Sequence, residues 1–128
     1  MLSRVGRFVS GTLFAGTILG VSAAASAQVV PHSLVASPEV YKVIAENAQY
    51  RIIEVTWKAG QRDNEHSHPA SAVYYPTDCT LRGYGPSGRA IGEFRVKAGG
   101  AIVQLPIPAH SVENIGSTEC KVIMFEPR

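Results

Sequence analysis

From Tyr41 onward, apolar and polar positions alternate in short runs. In "YRIIEVTWK" Ile53, Val55 and Trp57 fall on one side of an extended chain, and Glu54, Thr56 and Lys58 on the other. Side chains of a strand project alternately to its two faces, so this run predicts a half-buried strand with Trp57 in the core. The preceding "VYKVIAEN" is also rich in β-branched residues, and Asn47–Ala48–Gln49 between the two runs predicts a hairpin turn. Residues 39–47 also suit a helix, because Ser37–Pro38–Glu39 resembles a helix start, but the strand is the reading taken. "SAVYYPTDCTLRGYG", "GEFRVKAGG", "AIVQLPIPAHSVENIG" and the apolar "CKVIMFEP" follow, with a turn signal in "GPSG" at Gly85–Gly88. Short strands at roughly ten-residue spacing, divided by Gly, Pro, Asn and Ser, predict an all-β sandwich or barrel.

The first 27 residues follow another pattern. Arg4 and Arg7 precede the uncharged run "FVSGTLFAGTILGVSAA", which ends at the small residues Ala25–Ser26–Ala27. Basic, apolar and small-residue regions in that order predict a signal peptide over 1–27, cleaved after Ala27, and a periplasmic or secreted protein. The apolar run is short for a spanning helix, so no stable membrane span is expected after cleavage. Residues 28–38 carry two prolines and no period, and read as an N-terminal arm in which His32 is an exposed tail histidine. Residues 39–128 then form one β-barrel domain with a single core. The 12 Lys and Arg outnumber the 10 Asp and Glu only through Arg4 and Arg7, leaving the mature chain neutral. With no basic run, nucleic acid is not an expected partner.

Cys79 and Cys120 are the only cysteines, and both lie in the exported part. An even count in an oxidising compartment predicts a disulfide, worth roughly 3–4 kcal/mol for a loop of this length. Their spacing gives no CxxC metal motif.

The remaining chemistry lies in the histidines. His66 and His68 are separated by one residue and would share a strand face, while His110 follows in "PIPAHSVEN". Three imidazoles with an open position suit a divalent Fe, Zn, Mn, Ni or Cu ion. Gly60, five residues and His66-x-His68 are similar to the first half of the cupin motif pair. Gly99 and His110-x3-Asn114 are similar to the second. The resemblance runs from about Tyr50 to Glu126. It implies a small antiparallel jelly-roll β-barrel whose motif histidines, here His66, His68 and His110, point inward and hold a divalent metal. Cupins often pair as dimers, so a homodimer is also implied.

The departures shape the expected site. Where the cupin motif has a glutamate after its second histidine, this chain has Ala72 and Val73, which cannot coordinate. Cys79 or Thr80 stands at the closing glycine, and Leu105 and Ile107 stand where Pro and Gly precede the last histidine. Glu65 and Glu113 have the wrong strand parity to replace the missing ligand. The expected centre is therefore neutral, three imidazoles without a carboxylate. Tyr74, Tyr75, Gln104 and Asn114 are the candidate pocket residues, with one of the adjacent tyrosines facing in and the other out. Arg82 and Tyr84 read as a solvated strand face. The resulting expectation is an exported cupin acting on a small molecule, by oxygenase- or isomerase-type metal chemistry, or else a non-catalytic small-molecule-binding module without metal. Acyl transfer has no support, because no Ser, Cys or Asp nucleophile stands beside a base.

Overall fold

A computed structural model describes residues 28–128, and the leader expected over 1–27 lies outside the described residues. The strands are β1 (Tyr41–Glu46), β2 (Tyr50–Trp57), β3 (His66–His68), β4 (Ser71–Tyr74), β5 (Cys79–Tyr84), β6 (Ala90–Val96), β7 (Ala101–Gln104), β8 (Ile107–Asn114) and β9 (Cys120–Pro127). They form a five-stranded sheet of order β1-β2-β9-β4-β7 and a four-stranded sheet of order β3-β8-β5-β6. Every pairing between these strands is antiparallel, as the jelly-roll expectation requires.

Residues 39–47 follow the strand alternative. The Asn47 side chain accepts hydrogen bonds from the backbone N–H groups of Gln49 and Tyr50, closing the β1–β2 hairpin. Along β2 the predicted alternation holds, with Ile53, Val55 and Trp57 buried against Val122 and Met124 of the neighbouring β9. Removing each such aliphatic side chain from water contributes about 1.5–3 kcal/mol. The Cys79–Cys120 disulfide is formed and ties β5 of one sheet to β9 of the other.

The two sheets leave two seams. At one, between the edge strands β1 and β3, the N-terminal arm packs into place. Its short helix α1 (Ser33–Ala36) touches both strands. Ser67 of β3 donates its backbone N–H to the carbonyl of Pro31 at 2.9 Å, and its hydroxyl to the carbonyls of Val30 and Pro31. At the other seam, β6 and β7 are the free ends of their sheets and no ladder joins them. The turn between them is pinned to Tyr75 by bonds through Gly99 and Gly100, and Gly99 adopts a positive φ of 90° that other residues rarely reach.

Candidate metal centre

β3 carries His66 and His68 inward, and β8 sets His110 directly opposite His66. A register shift lies between His66 and His68, but both rings remain buried on the inner face. Nitrogen atoms of the three imidazoles all lie within 4.8 Å of one another, with His66 Nε2 and His68 Nε2 3.0 Å apart. Ligand nitrogens around one tetrahedral zinc are about 3.3 Å apart, so little movement separates this arrangement from a coordinating one.

Local bonding sets the rings for coordination. His66 Nδ1 donates to the carbonyl of Asn64 at 2.7 Å. A carbonyl only accepts, so the neutral ring keeps its Nε2 lone pair toward His68. Burial, with repulsion from the neighbouring imidazoles, lowers the pKa of His66 to about 3, against the opposing bond to Asn64. Burial and His68 lower that of His110 to about 4. Both are therefore neutral near pH 7, the form that binds metal. His110 Nδ1 is buried without a hydrogen-bond partner, as an atom awaiting a ligand would be.

The three-imidazole set contains no carboxylate, as expected, but two carboxylates that the sequence reading did not place stand behind it. Asp63 and Glu126 are both buried behind the histidines. Asp63 accepts from the Tyr41 hydroxyl at 2.8 Å, the Trp57 indole at 3.0 Å and the backbone N–H of Val112 at 2.6 Å. Burial raises its pKa in spite of those bonds. Tyr41 also lies 3.1 Å from His66 Nε2, and burial followed by the Asp63 charge holds its hydroxyl protonated. Glu126 receives Arg51 Nε at 2.6 Å and His32 Nε2 at 2.7 Å. Burial alone would raise its pKa, but His32, the nearby His68 and Arg51 hold it at about 2. Its second oxygen, Oε2, faces His68 Nδ1 across 3.8 Å, beyond hydrogen-bond distance, and neither atom has a hydrogen-bond partner. That pair is a carboxylate behind a candidate ligand, the arrangement that fixes a metal-binding imidazole.

His32 is accordingly no tail histidine. Its Nδ1 accepts from the backbone N–H of Leu34, and its Nε2 lies 2.7 Å from Glu126 Oε1 and 3.0 Å from Arg51 Nη2. Sequence reading missed Asp63, Glu126 and Tyr41. Glu126 did leave a signal, because it shares strand parity with Val122 and Met124 in "CKVIMFEP".

The other candidates divide. Tyr75 and Gln104 line the barrel cavity, and Gln104 donates to the Ser71 hydroxyl at 2.7 Å. Tyr74 points outward, half exposed, into a groove on the outer sheet face. Asn114 is not a lining residue. Its amide nitrogen donates to the carbonyls of Trp57, Lys58 and Thr118, and its oxygen accepts from Gly116 N–H, so every polar atom is used in holding two loops. Glu65 is exposed, and Glu113 accepts from Tyr84 on the outer face, so neither approaches the histidines. Ala72 is exposed and Val73 turns inward as carbon only. Arg82 pairs with Glu93 outside the barrel.

No family model matches the chain, and no curated protein matches it. Solved structures do. A cupin domain from Bordetella pertussis Tohama I aligns with a TM-score of 0.62 at 18% identity, over 80% of this chain and 99% of that one. A double-stranded β-helix domain protein from Klebsiella pneumoniae aligns at 0.52 and 19% identity, over 69% of this chain and 76% of that one. An RmlC-like cupin family protein from Methanocaldococcus jannaschii aligns at 0.52 and 10% identity, over 69% and 78%. What they share with this chain is the architecture of two antiparallel sheets closed into one barrel.

Proposed function

We propose that this chain of cupin fold is an exported protein that holds one divalent cation, of Fe, Zn, Mn, Ni or Cu, on His66, His68 and His110, and presents it to a small molecule in the barrel. The observation that carries the reading is the convergence of three buried imidazoles, two of them neutral near pH 7, around one point. When bound, the ion supplies Lewis-acid or redox chemistry at its open positions. The chain orients the ligand nitrogens through the Asn64 carbonyl and the Glu126 carboxylate, and keeps water from the far side of the rings. The disulfide, and the lack of any helix long and apolar enough to span a membrane among the described residues, are compatible with export.

A non-catalytic binding module is the second reading, favoured by a specific observation. Neither buried carboxylate lines the cavity, and both receive neighbouring donors, so among the described residues no carboxylate stands in the cavity as a general acid or base.

Metal analysis of protein isolated from its native compartment tests the proposal. Stoichiometric divalent metal is expected, lost on His66→Ala, His68→Ala or His110→Ala and kept in Glu65→Ala and Glu113→Ala. Unchanged metal content in the triple histidine variant would overturn it. Iron would point to oxygenase-type chemistry. A folded native protein devoid of metal would leave the binding-module reading.

A further inference from the structure

Above the histidines the barrel encloses a cavity of about 390 Å³. Its walls are mostly carbon, with Leu81, Phe94, Ile102, Val122 and Met124 among them, and no Lys, Arg, Asp or Glu lines it. The polar tips of two wall aromatics are withdrawn, since the Tyr41 hydroxyl and the Trp57 indole N–H both donate to Asp63. The Gln104 amide nitrogen donates to Ser71, which leaves the Gln104 oxygen and the Tyr75 hydroxyl as the other hydrogen-bonding groups of the wall. Nitrogen is offered at one place, by His68 and His110. The entrance is equally apolar. Phe94 and Ile102 stand opposite the inward residues Leu81 and Val73, yet are 53% and 46% exposed, because the β6–β7 seam is open beside them.

We infer that the ligand is an uncharged, predominantly hydrocarbon small molecule with a single donor atom for the metal, entering through the β6–β7 seam. The inference rests on the proposed metal site for the donor atom only; the hydrocarbon body is read from the walls. Sugars, sugar acids and amino acids fit poorly. Each would bury several hydroxyl or charged groups against a wall that offers only Tyr75, Gln104 and the two histidines as partners. Size agrees, since a dry cavity of about 150 Å³ already admits benzene and this one is more than twice as large.

Trp57 is the sole tryptophan and lines the cavity, so its emission reports occupancy. The test titrates full-length mature protein, metal-stripped and zinc-loaded, with menthol, an uncharged cyclic alcohol, and with glucuronate. Menthol is expected to shift Trp57 emission saturably and to bind at least about tenfold more tightly than glucuronate, a difference of ~1.4 kcal/mol. Ile102→Glu, at the half-exposed lip, should weaken menthol by about tenfold or more, whereas Val103→Glu, on the opposite face of the same strand, should not. Zinc binding without menthol binding, or glucuronate binding as well as menthol, overturns the ligand class and leaves the metal site standing. Menthol binding in protein that takes up no zinc supports the ligand class while removing the metal. Equal loss in both glutamate variants, or in neither, overturns entry through the seam.

Discussion

At the scale of the residue, the site is governed by what burial does to ionisable groups. His66 and His110 titrate near 6.5 in an unfolded chain but at about 3 and about 4 in the folded one. The unfolded state then binds more protons below pH 6.5, so stability contributed by these groups is full above that pH and lost as pH falls toward 3. At pH 5 the loss is about 2 kcal/mol per histidine, so urea unfolding of metal-free protein should show a clearly lower midpoint at pH 5 than at pH 7.5. Glu126, held at about 2, adds a further loss only below about pH 4.5. A midpoint unchanged between pH 7.5 and 5 would show that the histidines are not buried neutral. Glu126→Gln provides a separate check on the groups behind the ligands. Removing the carboxylate that faces His68 Nδ1 should weaken zinc binding about 10–100-fold in competition with a chromophoric chelator. The three histidines of the candidate centre were legible because HxH parity and a cupin-like spacing are local features of the sequence. Asp63 was not, since it sits outside any strand, where no period assigns a face. Tyr41 was hidden differently, being the one buried position of a strand otherwise turned to solvent.

At the scale of the element, loops and edges decide what the strands cannot. The strands themselves were readable, β2 from its alternation and β9 from its apolar content, and each buries one face along its length. The arm was not. Its order comes from a bridge to Ser67 and from His32 reaching Glu126, contacts between segments far apart in the chain. Asn114 shows the same limit, since its parity matched that of His110 while its bonds go to the loops after β2 and before β9. Four hydrogen bonds converge on that buried amide, so Asn114→Ala should cost about 2–4 kcal/mol in chemical denaturation, with metal stoichiometry retained in the folded fraction. A loss below ~0.5 kcal/mol would mean that those loops hold without it.

At the scale of the whole molecule, the Cys79–Cys120 bridge crosses between sheets and spans 41 residues of sequence. In the chain-entropy account it stabilises by about 4 kcal/mol, so a Cys79→Ala, Cys120→Ala double variant should lose about that much in urea unfolding, and a negligible loss would refute the estimate. The pairing of two cysteines was readable from their even number and the leader expected before them; the order of strands around them was not, because register between distant segments leaves no local trace. That order also has a consequence in time. β9, the last strand, lies in the interior of its sheet, with Tyr50 of β2 opposite Pro127 and Ala72 of β4 opposite Phe125. The strands that flank it have no shared neighbour until it arrives, so a chain growing or emerging from its N-terminus waits as separate hairpins until the final segment inserts between them. Such non-local closure belongs to the millisecond-to-second class of folding rates, and during that interval the apolar faces of β2 and β4 stand uncovered.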